Sequence, residues 1–407
     1  MPGHAERLTA LSAFTGLGGL DLGLEAAGFE HVGCIEKDET ARRSLKQNRG
    51  DSWPLLEPGD VSVLARTLTP EQFGLQRREL SILAGGPPCQ PFSKAAQWSA
   101  SARTGLEDVR SHCLRDFLQL VEIFLPRVVL IENVAGFVQG PVSALLEIKL
   151  ALKGINERQQ SRYVAHHRIV DAADYGVPQH RQRAIIIMSR EGDEPTWPRA
   201  THADDPMRAW DAIGELEVVS PPKAVGKWAD LLPSIPEGEN YLWHTRGGGG
   251  RPLFGYRTRF WSFLLKLAKD QPSWTLPAQP GPSTGPFHWD NRPLTVPELL
   301  RLQSFDADWI VEGGHREQVR QVGNATPPRL AEVMSRAIAT TYFGMSYKGQ
   351  RLHHYIARAE SVPEPSPVKP VPVEYLKLEG DHADHPGTGK GPSPRSCCDA
   401  IALGAMA

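Results

Sequence analysis

One cysteine stands in surroundings that suit a nucleophile better than a packing thiol. Cys89 lies in the stretch GGPPCQPFS, residues 85–93, directly after an apolar segment that is predicted to form a strand. Prolines on both sides restrict the backbone and would hold the sulfur in place. Active sites of α/β proteins lie at the carboxyl ends of the strands. We therefore interpret Cys89 as an activated nucleophile, with a buried structural thiol as the alternative.

A glycine-rich turn near the N-terminus could hold a cofactor. The stretch FTGLGG, residues 14–19, joins a predicted strand to a predicted helix, and Glu36 ends the next strand, where an acid can bind ribose hydroxyls. The turn would serve a nicotinamide cofactor or S-adenosylmethionine equally, and a tight turn without a ligand is a further alternative. Asp21 occupies the third glycine position of GxGxxG, which disfavours the nicotinamide cofactor.

Three further charged residues adjoin apolar strands. Glu132 closes the apolar run of residues 128–131, a setting that indicates a functional site; a helix cap or a lysine pair is the alternative. Arg181 and Arg183 precede the apolar residues 184–189, and we expect them to point to opposite sides of the extended chain. A solvated arginine pair is the alternative for these two.

The elements that must position these residues follow an α/β pattern. Over the first 190 or so residues, short apolar strands alternate with helical stretches, which is typical of a parallel α/β sheet. Strands are predicted at residues 8–14, 31–36, 80–86, 127–133 and 184–189. Helices are predicted at residues 18–27, 114–124, 294–303 and 329–341.

Composition divides the chain further. Residues 1–192 form the predicted catalytic and cofactor-binding domain, and residues 193–290, rich in proline and glycine and holding seven of the ten tryptophans, form an irregular inserted domain. Residues 291–348 are expected to return to the first domain. Residues 349–407 are rich in proline, glycine and charge, and we expect this tail to be partly disordered.

Overall composition excludes several classes of protein. The 407 residues include 40% hydrophobic and 23% charged residues with a net charge of -2, an ordinary globular balance. No apolar run is long enough to span a membrane, and we expect a cytoplasmic protein. The five cysteines are too scattered for a disulfide framework and show no CxxC pair, so no metal is expected. Cys34 and Cys113 are interpreted as packing thiols.

Six motifs, in order from residue 14 to about residue 330, resemble those of the DNA (cytosine-5) methyltransferase family of bacterial or phage type. They are FTGLGG (14–19), PPCQPFS (87–93), ENV (132–134), QHRQR (179–183), RPLT through Glu298 to RLQ (292–303) and QVGNA (321–325). The resemblance implies an α/β methyltransferase fold, which is a Rossmann-like mixed sheet with helices on both faces, plus a small target-recognition domain. Asp306 and Thr326 depart from the family's usual proline and valine.

By this resemblance the reaction is methylation of carbon 5 of a flipped-out cytosine in duplex DNA. Cys89 would attack carbon 6 of the ring, and Glu132 would share a proton with ring N3. Arg183 would reach the O2 side of the cytosine and position Glu132. Arg181 would support the catalytic loop or contact a phosphate.

The implied methyl donor is S-adenosylmethionine, which leaves as S-adenosylhomocysteine. Phe14 would stack on adenine, Glu36 would bind the ribose, and Asn324 would close the methionine end. Asp60, after a short strand, would contact the adenine amine. The complete set of expected donor contacts is Phe14, Gly16, Leu17, Gly18, Gly19, Glu36, Asp60, Pro88, Leu114 and Asn324.

DNA contacts are expected from two regions. Residues 93–110, small, polar and basic, suit a mobile segment that covers the site. Residues 241–269 contain no acid, include Lys266 and Lys269, and carry Gly247–Gly250, which could follow a groove. The expected DNA-binding residues are Gln90, Ser93, Arg246, Arg251, Arg257 and Arg259. A packed domain with a solvated basic face is the alternative.

Other functions remain open at this point. A transfer-RNA cytosine-5 methyltransferase would share the Pro-Cys loop, but the large inserted domain favours duplex DNA. A catalytically silent DNA-binding protein is disfavoured because every catalytic position is filled, and a nicotinamide oxidoreductase would explain only the glycine-rich turn. We expect a monomer, either a solitary enzyme or one paired with a separate restriction endonuclease.

Overall fold

The computed structural model describes residues 7–88, 112–140, 143–254 and 260–379, and its centre is a six-stranded mixed sheet. The strand order is β2-β1-β3-β4-β6-β5, with β1 to β4 parallel and β6 antiparallel to both of its neighbours. The strands are β1 (Thr9–Ala13), β2 (Glu30–Ile35), β3 (Ile82–Gly85), β4 (Val128–Val134), β5 (His166–Asp171) and β6 (Gln182–Ser189).

Helices cover both faces of this sheet because the central strands are apolar on both sides. One face packs Leu11 and Val129 against Phe117, whereas the other packs Ala10 against Leu24 and Met334. The helices are α1 (Gly19–Ala26), α2 (Glu39–Arg49), α3 (Val61–Thr67), α4 (His112–Phe124), α5 (Leu145–Gln159), α6 (Ala209–Ile213), α7 (Val296–Leu302), α8 (His315–Asn324), α9 (Pro328–Phe343) and α10 (Val373–Leu376). None of the described helices is long and apolar enough to cross a membrane.

The chain returns to the sheet after the irregular segment through a close contact between α9 and α1. A Cβ atom added to Gly23 would lie 2.3 Å from the carbonyl carbon of Ala331, so only glycine permits this approach. The contact places residues 323–326, just before α9, at the glycine-rich turn that begins α1.

Residues 193–290 contain little regular structure beyond α6 and short 3₁₀ turns. This segment nevertheless has its own core, in which Tyr241, Phe254 and Phe263 pack edge to face. These aromatic side chains are therefore packing residues rather than DNA contacts.

Residues 349–379 of the tail pack on the rest of the protein, and the expectation that residues 349–407 are partly disordered stays a prediction. Ile356 is buried beside the C-terminal helices, and Tyr375 is buried in the core of the irregular segment, where it stacks on Trp228. The backbone N–H of Lys369 donates to the carbonyl of Pro233. We call residues 349–379 the strap; residues 380–407 lie outside the described part of the chain.

Candidate active site

A cavity of about 340 Å³ opens at the edge of the sheet where β1, β3 and β4 end. Because β6 is antiparallel, its first residues reach the same edge, and residues 320–326 close the remaining side. Residues from five of the six motifs therefore line one site although they lie far apart in the sequence, whereas the motif of residues 292–303 contributes none of the lining.

The glycine-rich turn forms one wall of the cavity. Phe14 lines it with a positive φ of 58°, a conformation that is strained for a non-glycine residue and is found mainly where function requires it. Gly18 is packed against the Trp53 ring and Gly19 against the Thr326 carbonyl, where a Cβ atom would collide at 2.6 and 1.9 Å respectively. Both glycines are required by close packing.

Glu36 ties this turn to the loop after β2. One carboxylate oxygen accepts from the backbone N–H of Gly16 and the other from that of Asp38, each at 2.7 Å. Burial raises the pKa of the Glu36 carboxyl, although these backbone hydrogen bonds oppose the rise. Each oxygen keeps a second lone pair that can accept from a ligand hydroxyl.

Glu132 and Arg183 form an ion pair inside the cavity. Val134 pairs with Arg183 across the antiparallel strands, so their side chains lie on the same face of the sheet. Glu132 is two residues earlier on β4 and therefore lies on that face as well. The Nε atom of Arg183 lies 2.9 Å from Oε1 of Glu132, and both side chains are about 10% exposed. The carboxyl and guanidinium groups of these two residues thus hold each other in a largely buried part of the cavity.

The loop after β3 starts against this pair. The side-chain amide of Asn133 donates to the Pro87 carbonyl at 2.8 Å, and Gly86 packs beside Glu132. Pro87 and Pro88 line the cavity. Asn133 therefore fixes where the chain leaves the sheet immediately before Cys89.

The two arginines of the QHRQR motif line the same cavity, so the expectation that they point to opposite sides was wrong. Residues two apart on an extended chain share a side. Arg181 is buried and donates to the carbonyls of Gly323 and Ala325 at 2.8 and 3.0 Å. It joins the C-terminal return to the sheet, and its burial precludes a phosphate contact.

The chain was then compared with known proteins. The family model for C-5 cytosine-specific DNA methylase matches residues 8–244 and 255–340. This protein therefore belongs to the C-5 cytosine-specific DNA methylase family. The type II methyltransferase M.SacI of Streptomyces achromogenes is 32% identical over 368 residues, covering 81% of this chain and 92% of that protein. M.Eco47II of Escherichia coli is 31% identical over 354 residues, covering 81% and 78%.

Solved structures show the same fold. A DNA modification methyltransferase encoded within an E. coli prophage matches with a TM-score of 0.58 at 20% identity, over 83% of this chain and 100% of that chain. The Entamoeba histolytica methyltransferase EhMeth matches with a TM-score of 0.53 at 16% identity, over 82% and 98%. The expected methyltransferase fold is confirmed. The protein is a DNA (cytosine-5) methyltransferase that uses S-adenosylmethionine.

The cavity residues fit this methyl donor. The half-buried Glu36 carboxylate suits ribose hydroxyls, and Phe14 offers an aromatic ring for adenine. Leu17 and Asn324 also line the cavity, together with Gly16, Gly19 and Pro88.

Three expected donor contacts of the methyltransferase do not line this cavity: Gly18, Asp60 and Leu114. Asp60 follows no strand of the described chain; it caps α3 and pairs with Lys37 at 2.7 Å, a contact that lowers the pKa of its carboxyl. Leu114 belongs to α4 and is buried in the hydrophobic core.

Some of the basic residues expected at the DNA surface are exposed, whereas others are buried. Arg246 and Arg251 are exposed, and Arg251 lies 3.4 Å from Glu379 of the strap. Lys266 and Lys269 are buried, so counting them with a basic DNA-facing surface was wrong. Lys266 donates to the Ile235 carbonyl, and burial lowers its pKa to about 8.

Several expected site residues lie outside the described part of the chain, and the glycines expected to follow a DNA groove have another role. Cys89, Gln90, Ser93, Arg257 and Arg259 lie outside the described residues, as does the segment 93–110. Gly248 and Gly249 belong to a turn that folds over Trp243, whose ring a Cβ on Gly249 would meet at 2.3 Å. These two glycines serve that packing rather than a DNA groove.

Sequence reasoning missed two charged residues at the cavity, Asp38 and Arg320, which are joined by a 2.7 Å ion pair. Asp38 also caps α2 by accepting from the backbone of Thr40 and Ala41. An aspartate just before a polar helical stretch is a recognisable N-cap, but its ion pair spans most of the chain and left no local signal.

Cys34 is the buried packing thiol that was predicted. Burial, with the Asp21 charge, raises its pKa well above the usual range, so the thiol stays neutral. A β-bulge opposite Ala10 and Leu11 turns His31 and Cys34 to the same face, and His31 lies 3.0 Å from Asp21. These three side chains lie within 4.8 Å of one another and join β2 to α1.

Proposed function

We propose that this methyltransferase acts on a cytosine flipped out of duplex DNA, with Cys89 as the attacking thiolate and Glu132 and Arg183 as the groups that bind the ring. The observation that carries the proposal is the Glu132–Arg183 pair at 2.9 Å in the cavity that Pro88 also lines. The cost of unstacking the base is about a few kcal/mol.

The place of Cys89 in the chain supports its role. Cys89 follows Pro88 directly in the sequence. Pro88 lines the cavity, and Asn133 anchors the preceding carbonyl. We therefore assign the attack on the base to Cys89, the residue that follows Pro88 in the sequence.

The chemistry follows from the electronic character of cytosine. Carbon 5 is a poor nucleophile, so the Cys89 thiolate adds to carbon 6, and the electron pair of the C5–C6 double bond moves to carbon 5. Glu132 holds a proton at N3, which accepts part of the charge that develops in the ring. S-adenosylmethionine supplies an electrophilic methyl group when it is bound.

Transfer of the remaining C5 proton to solvent then restores the C5–C6 double bond, and the Cys89 sulfur leaves carbon 6 as a thiolate. Arg183 keeps the Glu132 carboxyl oriented toward N3 throughout these steps through the contact of its Nε atom with Oε1. Asn133 keeps the nucleophile loop in place.

Donor binding is assigned to the turn and to the C-terminal return. Phe14 stacks on the adenine of S-adenosylmethionine, Glu36 accepts hydrogen bonds from the ribose hydroxyls, and Asn324 contacts the methionine part of the donor. The positions of these residues around one cavity support this assignment.

The biological context follows from the relatives, several of which are named type II methyltransferases. We infer that this enzyme protects one DNA sequence as a monomer, with a separate endonuclease cutting the unmodified sequence. Residues 193–290 select the sequence, and the side chains of Arg246 and Arg251, which are exposed on this segment, contact bases or phosphates.

A duplex that contains 5-fluorocytosine tests the covalent step. Fluorine at carbon 5 cannot leave as a proton does, so the bond to Cys89 should persist and shift the enzyme to the mass of a DNA adduct. Peptide mapping should find the adduct on Cys89, and Cys89→Ala should form none. An adduct on Cys113, or no adduct while ordinary DNA is methylated, would contradict this mechanism.

A further inference from the structure

His180 lies where the catalytic domain meets the irregular segment. Its backbone N–H donates to the Ser273 carbonyl at 2.7 Å, and its own carbonyl accepts from the Thr275 hydroxyl at 2.7 Å. The residue is one position from Arg181 and three from Arg183, both of which line the catalytic cavity. Its position is therefore fixed from both sides of the junction.

The imidazole is held in one orientation. Nδ1 lies 3.1 Å from Oδ2 of Asp171, whose other oxygen accepts from the backbone N–H of Arg181 at 2.8 Å. The opposite ring nitrogen, Nε2, therefore points away from Asp171, and no described residue accepts a hydrogen bond from it. The His180 side chain is 40% exposed.

Exposed aromatic rings lie beside this imidazole. The Trp274 ring is 5.6 Å from that of His180, and Trp261 packs edge to face on Trp274. Trp274 and Trp261 are 40% and 45% exposed, which is unusual for large rings in contact. The patch combines a directed donor with apolar surface, a combination typical of nucleic-acid contacts.

The imidazole also tends to be charged. The hydrogen bond to Asp171 raises the pKa of His180, and the charges of Asp171 and Asp174 add to this effect while partial burial opposes it. The carboxylates that favour protonation are Asp171, which lies on the Nδ1 side of the ring, and Asp174, and Nε2–H remains the donor directed away from Asp171.

We propose that His180 is a DNA-positioning residue whose Nε2–H donates to a backbone phosphate flanking the target cytosine. The inference rests on the proposed action on duplex DNA. Two features favour a phosphate over a base edge: Nε2 offers a single N–H rather than a bidentate group, and it stands beside the pocket for the extruded base. The contact holds the strand in register while the cytosine occupies the cavity.

His180→Asn separates this role from a structural one. Asparagine can keep a hydrogen bond to Asp171 in place of Nδ1, but it has no donor in place of Nε2 and no charge. His167→Asn, at an exposed histidine on β5, is the matched control. Both variants would be measured with a duplex fragment that the wild-type enzyme methylates.

The wild-type enzyme should bind this duplex about 5- to 10-fold more tightly than His180→Asn at low salt and pH 6.5. The slope of log affinity against log salt should fall by about 0.9 in the variant, as for the loss of one phosphate contact. The wild-type advantage should disappear as the pH rises and His180 loses its proton. Donor affinity and the control should be unchanged.

An unchanged salt slope and an unchanged pH profile in His180→Asn would overturn the proposal, since a structural role alone would leave both in place. Failure of the wild-type enzyme to methylate any duplex would instead refute the proposed function, so the two failures are distinguishable.

Discussion

Gly19→Ala tests whether the close contact between the glycine-rich turn and the C-terminal return shapes the donor cavity. The added Cβ atom would lie 1.9 Å from the Thr326 carbonyl oxygen and 3.0 Å from the Phe305 ring. Ordinary contacts begin near 3.4 Å, so the two segments must separate by about 1.5 Å. Backbone lies on both sides, and no flexible side chain can yield instead.

The expected cost follows from this overlap. Overpacking of this kind destabilises proteins by about 1–3 kcal/mol, which is less than the ~5–15 kcal/mol total stability, so the variant should still fold. The displaced segment includes Asn324, which lines the cavity opposite the turn. The donor dissociation constant should rise by about tenfold or more, because a shift of this size breaks contacts worth at least ~1.4 kcal/mol.

Equilibrium dialysis with labelled S-adenosylmethionine measures the donor affinity, and urea unfolding measures stability. Gly247→Ala is the matched control, since its Cβ atom would meet nothing within 4 Å. The reasoning is refuted if Gly19→Ala binds donor and resists urea as well as Gly247→Ala does.

Three other changes have definite expected outcomes. Arg183→Ala should lower the rate of single-turnover methylation by about 10²-fold or more, because it leaves Glu132 without its partner. Arg183→Lys should recover part of this loss. A rate in Arg183→Ala equal to that of the wild-type enzyme would contradict the assignment. Tyr375→Ala should cost about 3 kcal/mol of unfolding free energy and Tyr375→Phe about 1 kcal/mol, because the ring stacks on Trp228; equal losses in a urea titration would contradict the packing role. Because burial raises the pKa of Glu36 and the ionised form accepts ribose hydroxyls, donor affinity should fall as pH falls through that pKa, and Glu36→Gln should flatten the profile.

The central strands could be predicted because each is a short apolar run bounded by polar residues. The runs at residues 8–14 and 127–133 correspond to β1 and β4 within one or two residues. Strand β5 was missed because HHRIVD, at the sheet edge, is largely polar and only partly buried. Helices α2 and α5 were also missed, because propensity alone is a weak signal.

Strand direction had no counterpart in the local sequence. The apolar run of β6 would suit either direction, and only its pairing with β4 shows that it runs antiparallel. That direction brings Arg183 to the end of β4 and within reach of Glu132. The motif identified the two residues, whereas their contact depends on long-range pairing.

Burial of charge was equally hidden from local composition. Lys269 stands in a basic stretch, yet it is buried because Glu237 pairs with it at 2.7 Å and the Glu364 carbonyl of the strap also accepts from it. Prolines and charges dominate the composition of the strap, and for that reason the tail was expected to be partly disordered. Its few anchors, such as Tyr375, become recognisable only beside their partners.

The most direct test of the account measures methyl transfer from tritiated S-adenosylmethionine to duplex DNA or transfer RNA by the wild-type enzyme, Cys89→Ser and Cys113→Ser. Nucleoside analysis should find the label in DNA as 5-methylcytosine with the wild-type enzyme and Cys113→Ser, and none with Cys89→Ser. Label in transfer RNA alone, or undiminished DNA labelling by Cys89→Ser, would contradict the proposed reaction.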